Sequence, residues 1–249
     1  MIDANAPVET FDEIDSTMLE ARRRAERGEL GPVWLVAKRQ TAGRGRRGRP
    51  WISKDGNLLA TYFFTTDKPP GEIALLGFAA GLAIAEAIEE VLGAGSAALK
   101  WPNDVLIGGA KAAGILLESG SLNAGRTWAS LAFGVNLADA PQGIDQPTTC
   151  LRALLPPDAE APLALAFLAR VRQGLAHWDA RLRDDGFPPI RAAWLARAYG
   201  MGREARVLQG EAVLEGRFAG LSPRGELELD TAEGRRLIAA GDVFFPQVG

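Results

Sequence analysis

Histidine and cysteine are nearly absent from this chain. The single cysteine, Cys150, excludes an intramolecular disulfide, and the single histidine, His177, leaves no His/Cys set for a zinc site. A Ser-His-Asp triad would have to use His177, which sits in an amphipathic stretch with Leu175, Trp178 and Leu182 and reads as a helix-surface or packing residue. Lysine is scarce as well, with 5 lysines against 23 arginines. There is no cationic surplus to favour nucleic acid or a membrane surface, since 28 Lys+Arg face 31 Asp+Glu for a net charge of -3. Met1 to Asn5 contains neither the basic nor the apolar segment of a signal peptide. The longest apolar stretch, around Ile73 to Leu92, is broken by Gly77, Gly81, Glu86, Glu89 and Glu90, and reads as a buried helix with no membrane role. These absences lead to an expected cytoplasmic location and to chemistry without a Cys/His nucleophile pair.

What is present divides into two textures. The 249 residues suffice for one large domain with a small appendix. Thr17-Met18-Leu19-Glu20 fits a capping box before a polar, arginine-rich helix that stops at Gly28. Val33 to Ala37 and Leu58 to Thr65 read as strands, residues 72 to 92 as the long helix, and 97 to 137 as short apolar runs separated by turns, among them Gly108-Gly109. Helical periodicity returns at 162 to 183 and 188 to 199. The expected class is α+β, a mixed sheet with helices to one side, over residues 1–202. After Tyr199-Gly200 the pattern changes to short strands around Val207, Leu214, Phe218, Leu227, Leu229 and Val243, which predicts a small SH3-like β-barrel over 203–249.

Four segments carry chemistry. Gly43-Arg44-Gly45-Arg46-Arg47-Gly48-Arg49-Pro50-Trp51 spells G-x-G-x-x-G after a strand, but Pro50 and the Asp55-Gly56-Asn57 turn leave no room for the helix of a dinucleotide fold. A loop of closely spaced guanidiniums suits an anionic ligand, and Trp51 offers a face for a base; alone, the segment reads equally as a solvated basic loop. Lys100-Trp101-Pro102-Asn103-Asp104-Val105 presents Asn103 and Asp104 at a strand end, where an Asn can read an adenine edge and an Asp can hold Mg²⁺, or where both form an ordinary Asx turn. Lys111, after a Gly-Gly turn and followed by Ala112, Ala113 and Gly114, places one of the few ammonium groups where a carboxylate could attack a phosphate. Gly134-Val135-Asn136-Leu137 closes a strand that begins near Trp128 and is a weak signal alone.

In this order and spacing the four segments resemble the biotin protein ligases of the biotin/lipoate ligase superfamily, from about Phe11 to Phe245. The resemblance implies an ATP-dependent enzyme that makes biotinyl-AMP and transfers biotin to a lysine of a biotin carboxyl carrier protein, as in acetyl-CoA carboxylase. It implies Ser16, Thr17, Gln40, Gly43, Arg44, Gly45, Arg46, Lys111 and Gly114 for biotin. For ATP it implies Arg46, Arg49, Trp51, Asn103, Asp104, Lys111 and Asn136, with Asp104 at the Mg²⁺ end and Lys111 and Arg46 as the catalytic groups. Met18 departs from the usual Asn after Ser-Thr and removes one polar contact to biotin. The few residues before Phe11 leave no space for the winged helix-turn-helix of the repressor members, so no DNA partner is expected; a homodimer is left open. A lipoate or octanoate ligase is the alternative within the superfamily. One expectation is purely physical: with three glycines and four mutually repelling arginines, residues 43 to 50 should be mobile until an anion arrives.

Overall fold

An uninterrupted apolar run such as the one beginning at Val33 is expected where both faces of a strand are covered. The computed structural model, which describes residues 2–122, 125–144 and 146–246, has this arrangement in strand β2 (Val33–Gln40), whose first five residues are buried. Trp34 and Val36 enter the main core, and Val33 and Leu35 enter a second, smaller one.

Strand β2 belongs to a seven-stranded sheet of order β1-β2-β3-β7-β6-β5-β4. Its other strands are β1 (Val8–Ile14), β3 (Leu58–Thr66), β4 (Ala97–Lys100), β5 (Asp104–Ile107), β6 (Ala110–Ser121) and β7 (Thr127–Val135). The β1–β2 pair is parallel and the rest of the sheet is antiparallel. Helix α1 (Thr17–Glu26) closes the small core with Ala21 and Ala25 against Val33, Leu35 and Phe63. A short helix α2 (Pro70–Ala74) leads into α3 (Leu76–Leu92). Helix α3 packs with α4 (Ala164–Asp185) on the main core, and α5 (Phe187–Ala196) adds Phe187, Ile190 and Trp194. The sequence suggests helices to one side only. Helix α1 lies on the opposite face, because β2 and β3 are apolar at both alternations.

Pro70–Leu92 has a mean hydropathy of 1.7 over its most apolar window, enough by length and composition to cross a membrane. Here it is a core element, with Leu82, Ile84 and Ile88 fully buried. The capping box expected at Thr17 to Glu20 does not form. The Thr17 hydroxyl instead donates to Gln40 Oε1 at 2.9 Å and accepts from Thr61 at 2.7 Å, while Glu20 pairs with Arg23, Arg24 and Arg27.

The tail forms a five-stranded antiparallel sheet of order β11-β10-β9-β8-β12, with β8 (Glu204–Gln209), β9 (Ala212–Leu221), β10 (Leu227–Thr231), β11 (Gly234–Ile238) and β12 (Asp242–Phe244). This SH3-like module is docked on the larger unit. The Trp101 indole donates to the Gly225 carbonyl at 3.0 Å, and the Phe245 ring meets Tyr199 edge-on at 5.5 Å. Gly225, at φ 80°, also lies so close to Phe78 that a Cβ there would come within 2.6 Å of the ring.

Candidate functional site

Two glycines set the floor of the site. In the β6–β7 pair Gly114 stands opposite Gly134, and one alternation further along β7 Ala132 stands opposite Thr61 of β3. The intervening residues Ile115 and Phe133 point into the main core. The face shared with α1 is therefore open at the two glycines, with Leu59 and Leu116 flanking them, and a cavity of about 580 Å³ lies over it. Trp51 reaches down onto this floor. A Cβ on Gly114 would come within 2.9 Å of its indole, and one on Gly134 would overlap it.

The arginine loop arches over the cavity. Its ends are tied by Trp51 N–H donating to Gly43 O at 2.9 Å and Gly45 N–H donating to Arg49 O at 2.7 Å. Gly43 has no room for a side chain, since a Cβ would come within 2.6 Å of the Trp51 carbonyl. A short 3-10 turn, Arg46–Gly48, makes the bend, with Arg47 at φ 56°. The repulsion expected among these arginines is met by Asp242, the first residue of β12. Its carboxylate lies 3.2 Å from Arg47, 3.1 Å from Arg49 and 3.7 Å from Arg46. Arg46 also donates to Gly241 O at 3.1 Å, and burial pulls its pKa below the usual guanidinium range. The sequence pattern had suggested a loop with nothing to anchor it before a ligand binds. The anchor is ionic and comes from 195 residues further along the chain, where no local pattern could show it.

The Lys-Trp-Pro-Asn-Asp segment forms the tight β4–β5 hairpin, with Lys100 opposite Asp104. The Lys111 ammonium sits 2.6 Å from Asp104 Oδ1 and 5.5 Å from the Trp51 ring centroid. Gln146 donates to the other Asp104 oxygen at 3.2 Å. Lys111 is held from behind: its N–H donates to Pro147 O at 2.8 Å, and Thr149 N–H donates to its carbonyl at 3.0 Å. Asn103 spends its amide on Ile115 O at 2.6 Å, so its acceptor oxygen is what it can offer a ligand. Asn136 is buried and gives its amide to Thr149 O at 3.1 Å. Its Oδ1 has no hydrogen-bond partner among the described residues, and neither has the buried Trp51 Nε1.

Every residue singled out for ligand binding from the sequence lines this cavity except Gly43, which shapes the loop from behind. Ser16, Thr17, Met18 and Gln40 form one end; Asn103, Asp104 and Lys111 form the other, with Asn136 and Gly114 between. Sequence reasoning missed Gln146, Asp242 and Phe244, and left Lys100 and Gly134 without a role although both stand in segments it had singled out. Among the described residues no three His, Cys, Asp or Glu side chains converge as a metal cage.

Residues 12–136 match the biotin/lipoate A/B protein ligase family, and residues 200–245 match the biotin protein ligase C-terminal domain. A biotin–[acetyl-CoA-carboxylase] ligase of Paracoccus denitrificans is 38% identical over 243 residues, which cover 93% of this chain and 97% of that protein. The chain belongs to the biotin/lipoate A/B protein ligase family. The bifunctional ligase/repressor BirA of Bacillus subtilis is 30% identical, with 93% of this chain and 72% of that protein aligned. Among solved structures, the biotin protein ligase of Aquifex aeolicus in complex with biotin and ATP superposes with a TM-score of 0.79 at 27% identity, covering 97% of this chain and 99% of that one. The chain is thus a ligase, with the biotin protein ligase fold over both its parts.

Proposed function

We propose that this enzyme joins biotin to ATP as biotinyl-5'-AMP and then passes the biotinyl group to a lysine of a biotin carboxyl carrier protein. The observation that carries this reading is the Lys111–Asp104 pair, set beside a glycine floor and under an arginine loop. Two facing glycines let a slender acyl chain lie against the sheet, and the cations around it suit the meeting of a carboxylate with a phosphate.

In the first step a biotin carboxylate oxygen attacks the α-phosphorus, the P–O bond to the β-phosphate breaks, and pyrophosphate leaves. Lys111 bridges the two anions, and Arg46 holds the developing charge from above. In the second step a neutral carrier amine attacks the acyl carbon; AMP departs, and the amine's proton is lost to solvent. Ser16, Thr17 and Gln40 face the head of biotin, with Arg44 and Gly45 in the loop above it. Arg49, Trp51, Asn103 and Asn136 face the nucleotide, the orphan Oδ1 of Asn136 being an acceptor for an N–H of the base. Trp51 and an acyl chain compete for the same floor, so ligand entry should lift the indole. Magnesium belongs to this reading as an ion carried by the phosphates, because one carboxylate, Asp104, fits that mode and not an all-protein cage; bound there, it would neutralise phosphate charge.

The test is biotin-dependent exchange of pyrophosphate into ATP, followed by labelling of a carrier domain. Biotin should support exchange and lipoate should not. Exchange with lipoate in preference to biotin, or none with either, would overturn the reading.

A further inference from the structure

Two lysines line the cavity: Lys111, paired with Asp104, and Lys100. Lys100 ends strand β4 and is half-buried in the cavity wall. Among the described residues its ammonium makes no hydrogen bond or ion pair, and it lies 5.7 Å from the centroid of the Phe244 ring. Four charged groups face it: Asp104 and Asp242, Lys111 and Arg49. Both acids are engaged elsewhere, Asp104 with Lys111 at 2.6 Å and Asp242 with the three loop arginines. A half-buried cation whose nearby carboxylates are already claimed is costly unless an anion completes it. Burial accordingly pulls the Lys100 pKa below the ordinary 10.5.

The order of the strands says which part of an anionic ligand comes here. The floor lies at β7 and β6, Lys111 and Asp104 on β6 and β5, and Lys100 on β4 at the sheet edge. Each strand adds about 4.8 Å. An acyl chain over the floor puts the reacting α-phosphate beside Lys111, and the rest of the triphosphate then runs outward toward β4. Phe244, brought in by the C-terminal module, supports the ammonium from its far side as a cation–π partner.

We propose that Lys100, backed by Phe244, binds the β- and γ-phosphates of the nucleotide and holds the pyrophosphate as it leaves. This rests on the adenylation reading given above, but it concerns a separate anion and a separate residue. Lys111 serves the bond that forms, and Lys100 the group that departs.

Lys100→Met keeps the length and apolar stem of the side chain and removes its charge. It should weaken inhibition by inorganic pyrophosphate, and raise the KM for ATP, by about ten- to a hundredfold, the usual effect of losing charge-assisted hydrogen bonds. The loss on the ATP half-reaction should exceed by at least tenfold any loss in transfer from premade biotinyl-AMP to the carrier. Lys100→Arg should recover most of the pyrophosphate effect. Phe244→Leu, made in the other sheet with the lysine left in place, should weaken pyrophosphate severalfold, and this variant decides the matter if Lys100→Met does not fold. Unchanged pyrophosphate inhibition in both variants would overturn the proposal. So would an equal loss in both half-reactions, the mark of a structural lysine. Calorimetric binding of pyrophosphate and ATP without biotin keeps this result apart from the identity of the acid: an enzyme that failed to use biotin could still show Lys100-dependent pyrophosphate binding, and the converse.

Discussion

The chain concentrates arginine twice, and the two clusters are neutralised in opposite ways. Around α1, Arg22, Arg23, Arg24 and Arg27 are matched by Glu26, Asp15, Glu20, Glu9 and Glu29, five carboxylates for four guanidiniums. On the loop, Arg46, Arg47 and Arg49 share the single carboxylate of Asp242, and Arg44 has no ion pair among the described residues. The same side chain thus makes a self-sufficient surface network in one place and a region of surplus positive charge in the other. Composition cannot tell these apart; the supply of nearby acids can.

If that surplus is what serves the reaction, substitutions in the cavity should be costly and those on α1 should not. Lys111→Ala should have the largest effect. Pyrophosphate exchange should fall by about two to three orders of magnitude, as for loss of a preorganised charge at a reacting centre, with the folded structure retained. Near-normal exchange would reduce Lys111 to a partner of Asp104. Arg46→Gly comes next. The adenylate should still form but escape about ten- to a hundredfold faster, seen as biotin attached to bystander lysines of added albumin. A variant that labels the carrier with wild-type selectivity would remove Arg46 from the clamp.

Asp242→Asn sharpens the contrast from the other side. Without its anchor the loop should be cut severalfold faster by trypsin at Arg44, Arg46 and Arg47, and biotin with ATP should protect wild type and variant alike. Equal cutting of the two proteins would mean that Asp242 does not hold the loop. The smallest effect belongs to α1. Arg27→Ala, at an exposed ion pair just past the helix, should leave both the thermal midpoint and exchange nearly unchanged. Acid should reveal the same network. The hydrogen bonds from Arg24 hold the Glu9 carboxyl below its ordinary 4.5, so its contribution is complete above that value and is lost as pH falls through the lowered folded value. A thermal midpoint that did not decline in this range, or that declined equally in Glu9→Gln, would exclude Glu9 as a contributor.

The site was legible in the sequence wherever its parts are local. Lys111 follows a turn, Asn103 and Asp104 end a hairpin, and Gly43 to Trp51 form one loop, so short-range pattern suffices for each. The α+β class and the β-rich tail were legible for the same reason, since alternation and helical periodicity are local properties. Asp242 and Phe244 were not, because they act across the junction between the two sheets and nothing around them in sequence marks them. Helix α1 on the second face escaped notice because a polar, arginine-rich helix gives little sign of which side of a sheet its two buried alanines will cover. Nothing local marks Lys100, since its lack of an acidic partner can only be seen once the other carboxylates have been assigned.

The wall of the cavity takes residues from Ser16 at one end of the chain to Phe245 at the other. The last strand of the large sheet ends at Val135, whereas Asp242 is made more than a hundred residues later. At roughly 5–20 residues per second on the ribosome, that interval is about 5–20 s. During it the helices α4 and α5 that complete the main core are made, and the arginines still lack their anchor and Lys100 its aromatic support. The loop's anchor and the support of Lys100 are therefore supplied only once β12 has been made. A chain without β12 would keep the arginine loop but lose both its ionic anchor and the aromatic partner of Lys100.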